Sequence, residues 1–117
     1  MTHGEKKIAK IIEELTMYFF TMGSDRIQSG IERDGNRVKI TFASNYDPDN
    51  QEKLHHLEKY LNEPKNEGME DFYWELAGSG DPGETSQLLL VGMMIDQAEI
   101  TIGDAEVSLV LYKELDS

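Results

Sequence analysis

The chain has 117 residues and a formal net charge of −12, from 23 acidic residues against 11 Lys and Arg. That length predicts a single domain over residues 1–117. The negative field disfavours nucleic acid and anionic membranes as partners. There is no cysteine, which excludes disulfides and thiolate metal sites. No apolar run approaches the length of about 18 residues that a membrane span needs, so we expect a cytoplasmic protein.

The first predicted element is a helix that ends near Gly23. Apolar residues recur there at the spacing of one helical face, and most charged residues fall on the other side. Gly23, followed by Ser24 and Asp25, is a typical C-terminal stop signal. The apolar face consists of Ile8, Ile11, Ile12, Leu15, Phe19 and Met22.

Two strands and a second helix are predicted next. Apolar and polar residues alternate over 27–31 and 38–42, and Asp34-Gly35 between them predicts a two-residue type I′ turn. The second helix is predicted to start at Asp47 or Asp49. Pro48 suits a first turn, and Asp49 with Glu52 resembles a capping box.

The second half begins with an ambiguous segment, 69–77, which fits a short helix better than a strand. The Gly-rich loop, residues 78–83, then opens an apolar helix near Glu84 that we expect to be buried. Glycines before a helix suggest an anion site, but Asp81 and Glu84 place negative charge where a phosphate would bind. A last pair of strands surrounds Gly103-Asp104.

Together these elements predict an α+β fold. We expect a two-layer sandwich in which a four-stranded mixed sheet, built from two hairpins, carries three or four helices on one face. The predicted core is Ile11, Leu15, Phe19, Val38, Ile40, Leu57, Leu89, Met93, Ile100 and Leu109.

This order of elements resembles the GHKL ATPase domain, the family of histidine-kinase catalytic domains and anti-sigma-factor serine kinases, over roughly residues 5 to 113. The resemblance implies a site for ATP and Mg²⁺. An acid on the first helix, an adenine-binding turn after the second strand and a Gly-rich motif would form it. The matching positions are Glu14 (or Glu13), Asn45, Asp47, Gly78, Gly80 and Gly83.

The ligand chemistry of that family is mostly missing. The helical Asn is replaced by Met17 or Tyr18, the turn over 44–49 has no glycine, and Asp81 and Pro82 interrupt the second motif. These changes favour a non-catalytic regulatory or protein-interaction domain that has lost nucleotide binding and needs no cofactor. The alternative is a divergent ATP-binding domain related to anti-sigma-factor serine kinases.

Other motifs predict no catalytic or metal site. Residues 78–83 fit the pattern G-x-G-x-x-G, but a dinucleotide site needs a parallel βαβ unit, so a plain loop is favoured. His55 and His56 are adjacent in sequence. They therefore point to different helix faces and cannot chelate one metal as an i, i+4 pair could.

Aromatic residues indicate the kind of partner. Tyr18, Phe20, Phe72, Tyr73 and Trp74 exceed what the predicted core can hold. We therefore expect a protein partner or self-association, with Phe72, Tyr73 and Trp74 as interface anchors. The equal alternative is that residues 69–77 fold over the former nucleotide site and plug it.

Overall fold

A computed structural model of the protein describes residues 1–62 and 84–115. Over these residues the α+β fold with a four-stranded sheet is confirmed. No helix in the described ranges is long and apolar enough to cross a membrane. The elements are α1 (His3–Thr21), β1 (Ile27–Asp34), β2 (Arg37–Asn45), a 3-10 helix (Pro48–Leu54), α2 (His55–Asn62), α3 (Glu84–Met94), β3 (Gln97–Ile102) and β4 (Glu106–Glu114).

The sheet has the strand order β1-β2-β4-β3, and every neighbouring pair is antiparallel. The prediction of a mixed sheet is therefore wrong. A parallel pair would need a crossover connection between its strands, whereas the central pair here, β2 and β4, runs in opposite directions. Its register places Ile40 opposite Leu111, and β1 places Ile31 opposite the same Ile40.

The turn from β1 to β2 differs from its prediction by one residue. Asp34 pairs with Arg37, so the two loop residues are Gly35 and Asn36. Gly35 has φ of 61°, and no described residue other than glycine has positive φ. A type I′ turn needs positive φ at both central residues, whereas a type II′ turn needs it at the first only. The turn therefore has the glycine placement of type II′.

The second helix also begins differently from the prediction. Pro48 occupies the first turn as expected, but residues 48–54 form a 3-10 helix and the α-helix starts only at His55. The N-cap is Asp47, whose carboxylate accepts a hydrogen bond from the Asp49 N–H at 3.0 Å. Asp49 lies inside the 3-10 helix, so the predicted capping box of Asp49 and Glu52 is wrong.

The core lies between the helices and one face of the sheet. Inward side chains of β2 and β4 pack there with α1, for example Phe42, whose ring stacks on Phe19 at 5.3 Å between centroids. Every predicted core residue is buried except Met93 and Ile100, which are half-buried. Ile100 lies on an edge strand of the described sheet, and Met93 lies on α3, which packs against α1 and α2 among the described helices.

The aromatic residues of α1 divide between the core and the surface. Tyr18 is 1% exposed and packs edge-on against Phe19 at 5.1 Å between ring centroids. Tyr18 therefore belongs to the core, whereas Phe20 is 63% exposed. That the core cannot hold all five aromatic residues stays a prediction, because Phe72, Tyr73 and Trp74 lie outside the described residues. Tyr18 is accommodated because the 3-10 helix packs close by and the Lys53 carbonyl accepts a hydrogen bond from its hydroxyl at 3.5 Å.

The helices α2 and α3 cross where α3 carries Gly92. A Cβ atom at this position would overlap the backbone carbonyl oxygen of Tyr60 in α2, and the Leu61 Cα lies 3.8 Å away. Glycine thus permits the two backbones to approach closely.

We predict that Gly92→Ala lowers the free energy of unfolding by about 2 kcal/mol, because the new methyl group forces the helices apart. The higher helix propensity of alanine alone would raise the free energy of unfolding by about 1 kcal/mol. Urea denaturation measures the change. Gly4→Ala is the control, because its Cβ would meet only the end of the Leu115 side chain. An unchanged or higher stability for Gly92→Ala would contradict this helix crossing.

Candidate functional site

The end of α1 and the end of β2 meet in a polar junction formed by residues 22–26 and 44–50. The helix ends in a Schellman motif, in which the Ser24 N–H donates to the Phe19 carbonyl at 3.1 Å and the Gly23 N–H donates to the Phe20 carbonyl at 3.2 Å. Gly23 has φ of 83°, which side-chain-bearing residues rarely adopt. The predicted helix stop at Gly23 is therefore confirmed.

Asn45 braces this junction with its side chain. Its Oδ1 accepts hydrogen bonds from the N–H groups of Asp25 at 3.0 Å and Arg26 at 2.9 Å. Its Nδ2 donates to the Asp25 carboxylate at 2.5 Å. Both ends of the carboxamide are thus occupied by the chain that connects α1 to β1.

Asp47 is held against the same end of α1. Its N–H donates to the Met22 carbonyl at 2.9 Å, and the Asn50 side chain donates to that carbonyl at 3.0 Å. A Cβ atom on Gly23 would lie 2.9 Å from the Asp47 Cβ. Asp47 is exposed, and its carboxylate caps the 3-10 helix, so its side chain has a local structural role here.

Tyr46, between these two residues, closes the junction on the side of the second strand pair. Its side chain is 4% exposed, and its hydroxyl donates to the Gly103 carbonyl at 2.5 Å. Its N–H donates to the Ala105 carbonyl at 3.2 Å. The position after Asn45 is therefore filled by a large, buried ring, which the sequence analysis did not identify.

Glu14 lies apart from the junction, in the middle of α1. It is 6% exposed, and its carboxylate pairs with the Lys10 ammonium at 3.0 Å. Glu14 precedes Met22 by eight residues, or about 12 Å along the helix at 1.5 Å per residue. The structure thus brings Asn45 and Asp47 together at the end of α1 and places Glu14 about two helical turns away.

Glu14 determines the electrostatics of its helical face. A hydrogen bond to its carboxylate, and then the attraction of its charge, raise the pKa of Lys10. Glu13 adds a weaker pair, at 3.5 Å from the same ammonium, and it is far more exposed. The buried carboxylate of Glu14 is therefore paired with Lys10, whose side chain is 45% exposed, rather than isolated.

The outer face of the sheet contains a concavity that the sequence analysis missed. It has a volume of about 440 Å³ and lies beside the junction. Small outward residues on β2 and β4, such as Ala43 and Ser108, leave this space, and an ion pair between Arg26 and Glu106 at 3.7 Å lies at its rim. Small residues at outward strand positions were the signal for it.

A second missed feature lies at the β1 edge. A groove of about 240 Å³ runs between α1 and β1, lined on its apolar side by Ile8, Ala9, Val38 and Ile31. The alternating pattern of β1 suggested that Ile31 points inward, yet it is 54% exposed. Among the described residues, α1 lies beside this strand yet leaves the Ile31 side chain more than half exposed.

The remaining predicted positions are outside this arrangement. Gly78, Gly80 and Gly83, the segment 69–77 and the aromatic anchors Phe72, Tyr73 and Trp74 fall outside the described residues. His55 is exposed. No group of three or more His, Asp or Glu side chains within the described ranges could hold a metal ion.

Comparison of the chain with protein-family models, with curated proteins and with solved structures finds no match.

We predict that Asn45→Ala lowers the free energy of unfolding by about 2 kcal/mol, because it removes three hydrogen bonds worth roughly 1 kcal/mol each at a partly exposed site. Chemical denaturation measures the loss. The control is Asn36→Ala, at an exposed position next to the other end of β2. If both variants retain wild-type stability, the side chain of Asn45 does not brace the fold.

We also predict a pH dependence for the pair of Lys10 and Glu14. Because the folded-state pKa of Lys10 is raised, the pair stabilises the folded protein below the ordinary lysine pKa of 10.5. That contribution is lost as the pH rises through the raised pKa. Glu14→Gln should therefore be less stable than wild type at pH near 8, and the difference should shrink at pH near 11.

Denaturation of both proteins across that pH range measures the difference. Glu13→Gln is the matched control, since Glu13 is exposed and lies farther from the ammonium. A stability difference between Glu14→Gln and wild type that stays constant through this range would contradict the assignment.

Proposed function

We propose that this chain is a non-catalytic regulatory or protein-interaction domain of the cytoplasm, with the two-hairpin, GHKL-like layout of a histidine kinase-like ATPase but without nucleotide binding. One observation carries the proposal. Asn45 and Asp47, which the resemblance assigns to the adenine-binding turn, already use their side chains to hold the chain together. A ligand that needed these groups would have to break the junction.

Tyr46, the residue between Asn45 and Asp47, fills the turn with a large side chain. A purine ring approaches a backbone turn closely only where small residues leave room. The turn here has no glycine, and Tyr46 occupies its centre with a side chain that is buried and hydrogen-bonded. Removing that ring from the core would cost several kcal/mol, on the order of 3 to 5. The turn is therefore built for packing rather than for holding a base.

Exposed apolar side chains support a role in protein binding. Phe20 is 63% exposed and Met17 is 39% exposed, three residues apart on the outer side of α1. Ile31 adds a third apolar side chain at the sheet edge. Large apolar groups of this kind are typical anchors at protein interfaces. We retain Phe72, Tyr73 and Trp74 as further proposed anchors, on sequence grounds alone.

One observation favours the alternative, a divergent ATP-binding domain related to anti-sigma-factor serine kinases. Glu14 is a buried carboxylate at the position the resemblance assigns to the helical acid. Carboxylates are ligands that Mg²⁺ accepts, together with phosphate oxygens. Against this, the pairing of Glu14 with Lys10 neutralises the charge that a metal ion would require.

We predict that ATP with Mg²⁺ leaves the melting temperature unchanged. A ligand at 100 times its Kd would stabilise the fold by about 2.7 kcal/mol, or roughly 10 °C for a domain of this size. Thermal unfolding with and without about 5 mM nucleotide would therefore detect any Kd near 50 µM. A saturable shift that disappears in Glu14→Gln would favour the ATP-binding alternative.

A further inference from the structure

We propose that β1 pairs antiparallel with β1 of a second copy, about a twofold axis at Ser29, so that two four-stranded sheets join into one. This inference rests on the proposed function in one respect, since it names a second copy as a partner of the interaction domain. Three features of β1 carry it: the direction of its free backbone groups, its uncovered apolar side and its charge pattern.

A hydrogen bond at the start of β1 shows which of its residues direct their backbone groups toward β2. The Arg26 carbonyl accepts a hydrogen bond from the Asn45 N–H of β2 at 3.2 Å. Along an antiparallel strand, alternate residues direct both backbone groups to the same side. Residues 28, 30, 32 and 34 therefore face β2, whereas 27, 29, 31 and 33 direct their N–H and C=O groups outward. Among the described strands β1 is outermost, so these groups form a pairing edge.

A partly apolar groove lies beside the β1 edge. Ile31 and the half-buried Ile27 point to the helix side of the sheet, where Ile31 is 54% exposed among the described residues. The groove of about 240 Å³ continues this surface onto Ile8 and Ala9 of α1. A strand added at the edge would place its own side chains over the groove and remove apolar surface from water.

The apolar and charged side chains of β1 together favour one register. With the axis at Ser29, Ile27 lies opposite Ile31 of the second copy, and Arg26 lies opposite Glu32 of the second copy. Symmetry makes each of these pairs occur twice. Opposite charges and apolar side chains that face each other across strands stabilise the pairing.

Neighbouring registers are less complementary. An axis at Gly30 would place Arg33 opposite Ile27, and an axis at Ile31 would place Glu32 opposite Gly30. Of these three axes, only the one at Ser29 opposes two isoleucines on the helix side and a base with an acid on the outer side. The Gly30 axis also opposes Arg26 with Asp34, but it opposes no two apolar side chains. Arg26 is free to re-pair in this way, because its ion pair with Glu106 is long, at 3.7 Å, and both side chains are about three-quarters exposed.

Charge reversal at these two positions tests the pairing. Wild type should dimerise in sedimentation equilibrium between about 10 µM and 1 mM. Arg26→Glu alone, or Glu32→Arg alone, creates two like-charge pairs in a dimer and should weaken self-association at least tenfold. In a mixture of the two variants, position 26 of each copy faces the opposite charge at position 32 of the other copy, so a heterodimer should form. Circular dichroism verifies that each variant is folded.

A wild-type protein that remains monomeric over this range would overturn the inference. So would single variants that dimerise as well as wild type, or a mixture that stays monomeric although the wild type dimerises. These failures are separate from that of the proposed function. A monomer that ignores ATP overturns only the pairing, whereas a dimer that binds ATP overturns only the proposed function.

Single cysteines test the register, because the chain has none of its own. Ser29→Cys places two thiols opposite each other at the axis, within the Cα separation that a disulfide spans. Ile31→Cys is the matched control, since its thiols would be about 13 Å apart along the strands. Oxidation should therefore cross-link Ser29→Cys alone. Faster cross-linking of Ile31→Cys would overturn the register.

Discussion

The hydrogen bonds of the Asn45 carboxamide are the interactions on which the rest of the structure depends. The carboxamide binds two successive N–H groups and one carboxylate of the chain that leaves α1, so it fixes where β1 begins relative to β2. The adjoining Met22 carbonyl accepts two more hydrogen bonds, one of them from Asp47. The end of α1 and the start of β1 are therefore joined at one junction, by the Asn45 side chain at the end of β2 and by the Asp47 N–H and Asn50 side chain that follow it.

This junction also limits what the molecule can do. Groups that hold α1, β1 and β2 together are not available to a ligand, and the ring of Tyr46 ties the same point to the turn between β3 and β4. Side chains of the described helices pack on the inner side chains of β2 and β4, while Ile31 on β1 is exposed. Under the proposed function, the absence of nucleotide binding at one end of β2 and the proposed pairing edge at β1 would follow from this same arrangement.

Local signals in the sequence identified the elements well. Gly23 ended α1, and the period-two pattern placed Val38, Ile40 and Leu109 in the core, because these signals depend on nearby residues alone. Tyr18 could not be placed, since its burial depends on the 3-10 helix 35 residues away. The type II′ turn and the antiparallel sheet likewise depend on register between strands. For the candidate site, the sequence indicated Asn45 and Asp47 but could not show that their hydrogen bonds are internal.

Amide hydrogen exchange at the junction tests the central claim most directly. If the Asn45 side chain is a structural brace, the N–H groups of Asp25 and Arg26 exchange slowly, at rates close to that of the Asp47 N–H, although they lie in an exposed connection. ATP with Mg²⁺ should leave these rates unchanged. Exchange of Asp25 and Arg26 at the rate of an unprotected chain, or a change in their protection when nucleotide is added, would contradict the account.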